Sequence, residues 1–129
     1  MIRSLELRPP GSAADLAERF GTPLYVMDGA RLAAEAEAFA AAWGPGVAVA
    51  YSMKANPLLG IAARLHRAGC WLEVASGFEY RSARRVGVPG GRIVFNGPLK
   101  TRDELAWALR EGATVIADGA EQVRDVAAL

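Results

Sequence analysis

Apolar residues along the chain fall into short strand-like runs separated by stretches of helical pattern. The four runs begin 21 to 24 residues apart, near Val47, Trp71, Arg92 and Thr114. Between the runs, apolar residues recur three and four positions apart and share one helix face, as Leu58, Ile61, Ala62 and Leu65 do. This alternation predicts βα units, in which parallel strands are joined by helical crossovers.

Capping signals mark where these helices begin and end. Gly69, Gly87 and Gly112 each follow a helical stretch, where a left-handed C-terminal cap is expected. Three segments place Glu three positions after a capping residue and predict helix starts directly after strands: Ser76–Glu79, Thr101–Glu104 and Asp118–Glu121.

Two further helices are predicted before the first run. One extends from Ser12 to Phe20 and ends before Gly21, and Asp28 can cap another that reaches Trp43. The apolar segment from Pro23 to Met27 is predicted to be a short strand between them.

Composition limits the classes of function. The 129 residues are 52% hydrophobic and 22% charged, with a net charge of +1, as in an ordinary globular segment with one core. The 15 basic and 14 acidic residues form no run, so we expect no nucleic-acid partner. We also expect no membrane segment and a cytoplasmic location, because the first ten residues are too charged for a signal peptide. The single cysteine, Cys70, is expected to be a small apolar residue at a strand start.

Lys54 is the most informative residue, because it lies where the first apolar run ends and a loop ending in Pro57 begins. If residues 47–53 form a strand, alternation puts Ser52 and Lys54 on the face that carries small residues. A lysine at the rim of such a space can provide a nucleophilic amine for Schiff-base chemistry. From these residues alone, an ordinary exposed lysine at a strand end remains the alternative.

The segment Tyr51–Pro57 closely resembles the lysine motif of the fold-type III pyridoxal-phosphate-dependent decarboxylases, the family of diaminopimelate, ornithine and arginine decarboxylases. Segments 21–28 and 73–79 resemble the opening strand of that family and its second barrel strand. Other matching segments follow in the order of the family: Arg92–Gly97, Lys100-Thr101, Glu104-Leu105 and Ala117-Asp118. Alanine racemases share the fold and a similar lysine, but Pro57–Gly60 fits the decarboxylases better.

The resemblance implies an α/β fold. It predicts the first half, about four βα units, of a TIM-type (β/α)8 barrel of the alanine racemase and decarboxylase kind, since a whole barrel takes about 250 residues. Residues 1–28 would be the N-terminal helix and strand of the β domain of this family. Residues 29–129 would be a partial barrel that binds pyridoxal 5′-phosphate, without its second half. A small, complete four-stranded α/β domain is the alternative.

The resemblance also assigns roles to site residues. Lys54 would be the catalytic lysine that binds pyridoxal 5′-phosphate covalently. Further candidate cofactor contacts, each of which also has a purely structural explanation, are Ser52, Glu73, Ser76 and Asn96. The family more often has Asp where Glu73 lies. His66 is most simply a solvated helix residue, and no metal site is expected.

The predicted function is decarboxylation of a diamino or basic amino acid, most similar to that of diaminopimelate decarboxylase in lysine biosynthesis, with this chain an N-terminal portion that is not competent alone. The expected partners are a small amino-acid substrate, a second subunit in a homodimer and a missing C-terminal half. A catalytically inert relic that binds a partner chain is the first alternative. A racemase or cofactor-homeostasis protein with the same barrel is the second.

Overall fold

The computed structural model describes residues 12–129, in which a helix follows each of four parallel strands. In chain order the elements are α1 (Ala13–Phe20), α2 (Gly29–Trp43), β1 (Ala50–Ser52), α3 (Leu59–Arg67), β2 (Trp71–Val74), α4 (Gly77–Arg85), β3 (Ile93–Phe95), α5 (Arg102–Arg110), β4 (Thr114–Val115) and α6 (Ala120–Ala127). Single turns of 3₁₀ helix follow β1 and precede β3, at Met53–Ala55 and Gly90–Arg92. The predicted alternation of strands and helices is confirmed.

The strands lie in sequence order, and their register aligns the residues of two distinct faces. Ser52 pairs with Glu73, Glu73 with Val94, and Val94 with Thr114. This row lies on the face opposite the helices, which we call the open face, and none of its four side chains is completely buried. The open face therefore leaves room for side chains or a ligand that the helices do not cover.

The core lies between the sheet and the helices. Its largest fully buried side chains come from the strands, α4, α5 and the connecting segments: Tyr80, Phe95, Met53, Leu72, Ile93, Leu105, Val74 and Val88. A second cluster joins Ile61, Leu65 and Cys70 to α2 through Leu32 and Ala36. Cys70 is buried there, as predicted, and this burial raises the pKa of its thiol.

Several predicted helix ends are confirmed by their hydrogen bonds. Ser12 and Asp15 form a reciprocal capping box at α1, and Thr101 and Glu104 form another at α5. Asp28 Oδ1 accepts hydrogen bonds from the N–H groups of Ala30 and Arg31, at 2.9 and 3.0 Å. Gly69, Gly87 and Gly112 have φ angles of 97°, 91° and 79°, as expected where helices end.

The prediction of a strand over residues 23–27 is wrong for the described part of the chain. The segment pairs with no other described strand, and Tyr25 within it is 98% exposed. The predicted strand over residues 47–53 is also too long, because only Ala50–Ser52 pairs with β2 before the chain turns at Met53. An apolar pattern does not make a strand unless a neighbour accepts its hydrogen bonds.

Two predicted capping boxes also differ from the structure. The cap residue of α6 is Gly119 rather than Asp118, whose carboxylate instead accepts a hydrogen bond from Lys100 Nζ at 3.3 Å. At α4, Ser76 Oγ accepts from the N–H of Glu79, as predicted. The Glu79 carboxylate, however, accepts from the N–H of Ala75 rather than from Ser76.

Within residues 12–129, each helix is too short or too polar to span a lipid bilayer.

Candidate active site

The carboxyl ends of β1 and β2 bring two of the predicted site residues together. Ser52 is the last residue of β1 and pairs directly with Glu73 of β2. Adjacent strands lie about 4.8 Å apart, so both side chains occupy neighbouring positions on the open face. Strand alternation predicts Ser52 and Lys54 on one face, but β1 ends at Ser52 and Lys54 lies beyond it in a 3₁₀ turn, so the register relates Glu73 to Ser52 only.

Both residues carry a polar atom without a partner. Ser52 Oγ and Glu73 Oε1 are buried and form no hydrogen bond within the described part of the chain. A buried polar atom left unsatisfied costs about 1–3 kcal/mol, and such atoms are uncommon in native proteins. A hydroxyl and a carboxylate side by side can bind the hydroxyl or nitrogen groups of a polar ring. The two residues therefore fit the polar edge of a pyridoxal ring.

Lys54 lies in the 3₁₀ turn that follows β1, and its side chain is exposed. Met53 anchors this turn in the core, where it is fully buried. After the turn, the Tyr51 hydroxyl donates to Asn56 O at 3.2 Å, and Asn56 Oδ1 accepts from Leu58 N at 3.2 Å. The backbone is thus held on both sides of Lys54, whereas its amine is accessible.

The Tyr51 hydroxyl that holds this loop is itself partly buried. Burial raises the pKa of Tyr51, and the hydrogen bond to Asn56 O partly opposes this rise. The hydroxyl consequently stays protonated at neutral pH and remains a donor to the loop that carries Lys54.

Ser76 and Asn96 lie at the carboxyl ends of β2 and β3, as predicted, but the structure shows local roles for them. Ser76 Oγ caps α4 by accepting from Glu79 N at 3.2 Å. The main-chain N–H of Asn96 donates to Val74 O at 2.8 Å and so extends the pairing of β2 with β3. Cofactor contact by either side chain stays a prediction.

His66 is less exposed to solvent than the sequence predicted. It is half-buried rather than solvated, and its Nδ1 lies 3.2 Å from Cys70 O, where α3 leads into β2. This contact connects the far end of α3 to the start of β2, remote from the carboxyl ends where Lys54 lies. It gives His66 a structural role.

Lys100 is the residue whose role sequence reasoning missed. Its side chain is 0% exposed, although it was noted only as part of a matching segment. The side chain lies at the carboxyl ends of β3 and β4, where it contacts Ile116 O and the carboxylate of Asp118. No local pattern indicates this burial, because three of its four hydrogen-bonding partners lie 16 to 22 positions away in the sequence.

Comparison with known proteins connects this geometry to a family. Residues 30–129 match the family model described as pyridoxal-dependent decarboxylase, pyridoxal binding domain. The diaminopimelate decarboxylase of Deinococcus radiodurans is 41% identical over 109 residues, which cover 84% of this chain and 28% of that enzyme. The L-glutamyl-(BtrI acyl-carrier protein) decarboxylase of Niallia circulans is 34% identical over 109 residues, which cover 84% of this chain and 26% of that enzyme.

The fold of this chain is similar to that of a solved decarboxylase structure. The crystal structure of diaminopimelate decarboxylase from Methanocaldococcus jannaschii in complex with L-lysine matches with a TM-score of 0.77 at 34% identity. The match covers 88% of this chain and 28% of that one. Together with the four-stranded parallel sheet, it confirms the predicted fold class, the first part of a (β/α)8 barrel. The chain therefore spans little more than a quarter of the length of these relatives, and it belongs to the pyridoxal-dependent decarboxylase family, of whose pyridoxal-binding domain it carries a part.

Proposed function

We propose that this chain holds the cofactor lysine of a pyridoxal-phosphate-dependent amino-acid decarboxylase. The observation that carries the proposal is that the exposed Lys54 lies on the fixed turn directly after Ser52, where Ser52 and Glu73 each bury a polar atom to which no described residue hydrogen-bonds. A covalently bound polar ring requires an accessible amine for its attachment and free hydrogen-bonding groups for its polar edge.

Each residue then has a defined task. Lys54 Nζ attaches the cofactor and, when released, can carry a proton at the rim of the open face. Ser52 and Glu73 hydrogen-bond the polar edge of the ring and thereby fix its orientation. When bound, pyridoxal phosphate supplies an electron sink that stabilises the negative charge left by carboxylate loss. Met53, which is buried in the core, and Tyr51, which donates to Asn56 O, hold the turn that carries Lys54 in place at the end of β1.

The substrate we propose is a diamino acid, with diaminopimelate as the first candidate, which would place the protein in lysine biosynthesis. The support is that several relatives more than a third identical to this chain are diaminopimelate decarboxylases. Another relative is an L-glutamyl-(BtrI acyl-carrier protein) decarboxylase, so the activity assay compares several candidate substrates. We further propose that turnover requires the remainder of the barrel and a second subunit.

The test of cofactor attachment uses the two lysines of the chain, Lys54 and Lys100. The 129-residue chain is mixed with pyridoxal phosphate, reduced with borohydride and mapped by mass spectrometry. We expect the label on Lys54 and not on Lys100, whose side chain is buried, and we expect Lys54→Arg to lose the absorbance of the bound cofactor. Equal labelling of both lysines, or none, would contradict the proposal.

Accessibility alone could also direct a reagent to Lys54, so the experiment needs a second arm. Acetic anhydride acylates the unprotonated form of an exposed amine, so its reaction reports the accessibility and protonation of Lys54 without requiring a binding site for a polar ring. Replacing Glu73 by Gln should reduce pyridoxal phosphate labelling of Lys54 while leaving its acetylation unchanged. If both reactions respond alike, Lys54 is only an exposed lysine and the chain is an inert relic of the family.

Decarboxylation is tested by supplying the segment that completes the barrel in a relative. The chain alone should release no carbon dioxide from diaminopimelate, lysine or ornithine. Co-expression with the segment of the Deinococcus radiodurans enzyme that follows the matched region should restore release from the true substrate, and Lys54→Arg should abolish it. Racemisation without carbon dioxide release would instead indicate a racemase.

A further inference from the structure

Lys100 is a buried cation that connects two loops at the carboxyl end of the sheet. Its Nζ donates hydrogen bonds to Gly97 O in the loop after β3 and to Ile116 O, at 2.8 Å, in the loop after β4. It also contacts Gln122 Oε1 at 3.0 Å and Asp118 Oδ2 at 3.3 Å. The ammonium lies 5.7 Å from the centre of the Phe95 ring.

These contacts satisfy a charge that would otherwise be costly to bury. An ammonium has three N–H donors, and here acceptors surround it on the loops after β3 and β4 and on α6. Asp118 supplies the opposite charge, and the Phe95 ring adds a cation–π contact. A buried charge held in this way restrains its partners, because moving the loops apart would remove several acceptors at once and leave the ammonium unsatisfied.

The same loops continue toward the candidate active site. Gly97, whose carbonyl binds Lys100, follows Asn96 directly and packs so closely on Ala75 that an added Cβ would lie 2.4 Å from Ala75 O. Gln122 extends the connection, because its Nε2 donates to Pro98 O at 2.7 Å. Lys100 thereby joins the loops after β3 and β4 to each other. The loop after β3 in turn packs through Gly97 on Ala75, the residue that follows the last residue of β2, Val74.

We infer that Lys100 is a positioning residue of the cofactor site. Its ammonium clamps the loops after β3 and β4, and through the contact of Gly97 with Ala75 it holds the end of β2, where Glu73 lies, in the orientation that binds the cofactor. The inference rests on the proposed function, since it concerns the same site. It assigns Lys100 no contact with cofactor or substrate.

The test compares Lys100→Met with the loss of a partly buried, ion-paired cation elsewhere. Arg84 is suited to this control, because its Nε forms an ion pair of 2.7 Å with Glu111 on the helix side of the sheet. The affinity of Lys54 for pyridoxal phosphate is measured by absorbance at a temperature where all variants are folded. Hydrogen exchange is measured in the loops 97–101 and 116–118.

We expect Lys100→Met to weaken cofactor binding by about fivefold or more, as is usual for residues that orient a binding group, and to speed exchange in both loops. Arg84→Met should lower the melting temperature but leave the affinity and the two loops unchanged. If Lys100→Met does not fold, Gln122→Met removes the contact to Pro98 without removing the charge, and it should weaken binding in the same direction.

Two results would overturn the inference. One is an affinity of Lys100→Met within twofold of the unchanged chain, and the other is an equal loss of affinity in Arg84→Met. In both cases Lys54 labelling persists and the proposed function stands. If the unchanged chain itself fails to bind selectively at Lys54, the proposed function is refuted, and the positioning role with it.

Discussion

At the level of single residues, the two lysines carry the same amine group but differ in their exposure to solvent. Both lie at the carboxyl end of the sheet, yet Lys54 is exposed and the Lys100 side chain is fully buried among acceptors. The exposed amine is available for reaction, whereas the buried ammonium is occupied by four hydrogen-bonding partners. Ser52 and Glu73 differ from both lysines, because each has a buried polar atom that forms no hydrogen bond with any residue of the described range 12–129.

The unpartnered hydroxyl of Ser52 predicts an effect of unusual sign. Ser52→Ala should leave the free energy of unfolding of the ligand-free chain unchanged or raise it by up to about 1 kcal/mol, because it removes an unsatisfied buried group. The same variant should bind pyridoxal phosphate more weakly. Urea unfolding and absorbance titration measure the two effects.

Ser76→Ala is the matched control for this prediction. It removes the hydroxyl that caps α4 and should lower the free energy of unfolding by about 1 kcal/mol. A destabilisation of similar size in Ser52→Ala would show that the Ser52 hydroxyl has a structural partner, and would remove the main argument for its role in binding.

At the scale of elements, the strands are short and the connections between them determine the shape of the site. β1, β3 and β4 contain two or three residues each, so the loops at their carboxyl ends carry much of the packing there. Gly97 is the clearest case, because its φ of 96° and its contact with Ala75 O exclude a side chain on two separate grounds.

Gly97→Ala should therefore destabilise the chain more than a substitution that meets only one of these obstacles. Gly112→Ala is the control, because Gly112 has a φ of 79° but nothing within 4 Å of an added Cβ. The control should cost about 1–2 kcal/mol from backbone strain. Gly97→Ala should cost about 1–3 kcal/mol more from overpacking against Ala75. Equal losses in urea unfolding would contradict the close approach of Gly97 to Ala75.

At the scale of the whole molecule, a polar cluster on the helix side joins α4 to the end of α5. The Tyr80 hydroxyl donates to Glu111 Oε2 at 2.9 Å, and Trp107 Nε1 donates to Glu111 Oε1 at 2.8 Å. Burial raises the pKa of Tyr80 far above its usual range, the hydrogen bond and the charge of Glu111 raise it further, and Arg84 partly opposes them. The native state therefore keeps this proton when the unfolded chain has lost it.

Stability should consequently fall in alkali. Below about pH 10, the ordinary pKa of tyrosine, the contribution of Tyr80 is fully present. Above that pH the native state binds one more proton than the unfolded state, so the free energy of unfolding falls by up to about 1.4 kcal/mol per pH unit. Urea unfolding between pH 8 and 11 should show a shallower decline for Tyr80→Phe. The raised pKa values of Tyr51 and Cys70 affect both proteins alike and cancel in this comparison. Parallel declines would contradict the role of Tyr80.

Local sequence patterns were sufficient to predict the order and type of the barrel elements, because hydrophobic periodicity and helix caps depend on interactions over a few residues. Examples are the capping box of Thr101 and Glu104 and the glycines with positive φ that follow the helices. The sequence also indicated Lys54, since the segment around it is a continuous motif. The tertiary structure alone decided which polar groups meet across strands. Sheet register puts Glu73 beside Ser52. Asp118 pairs with the buried Lys100 instead of capping α6 as predicted. Both contacts join residues that lie far apart in the chain. The segment 23–27 shows the same limit, since an apolar pattern becomes a strand only where another strand lies beside it.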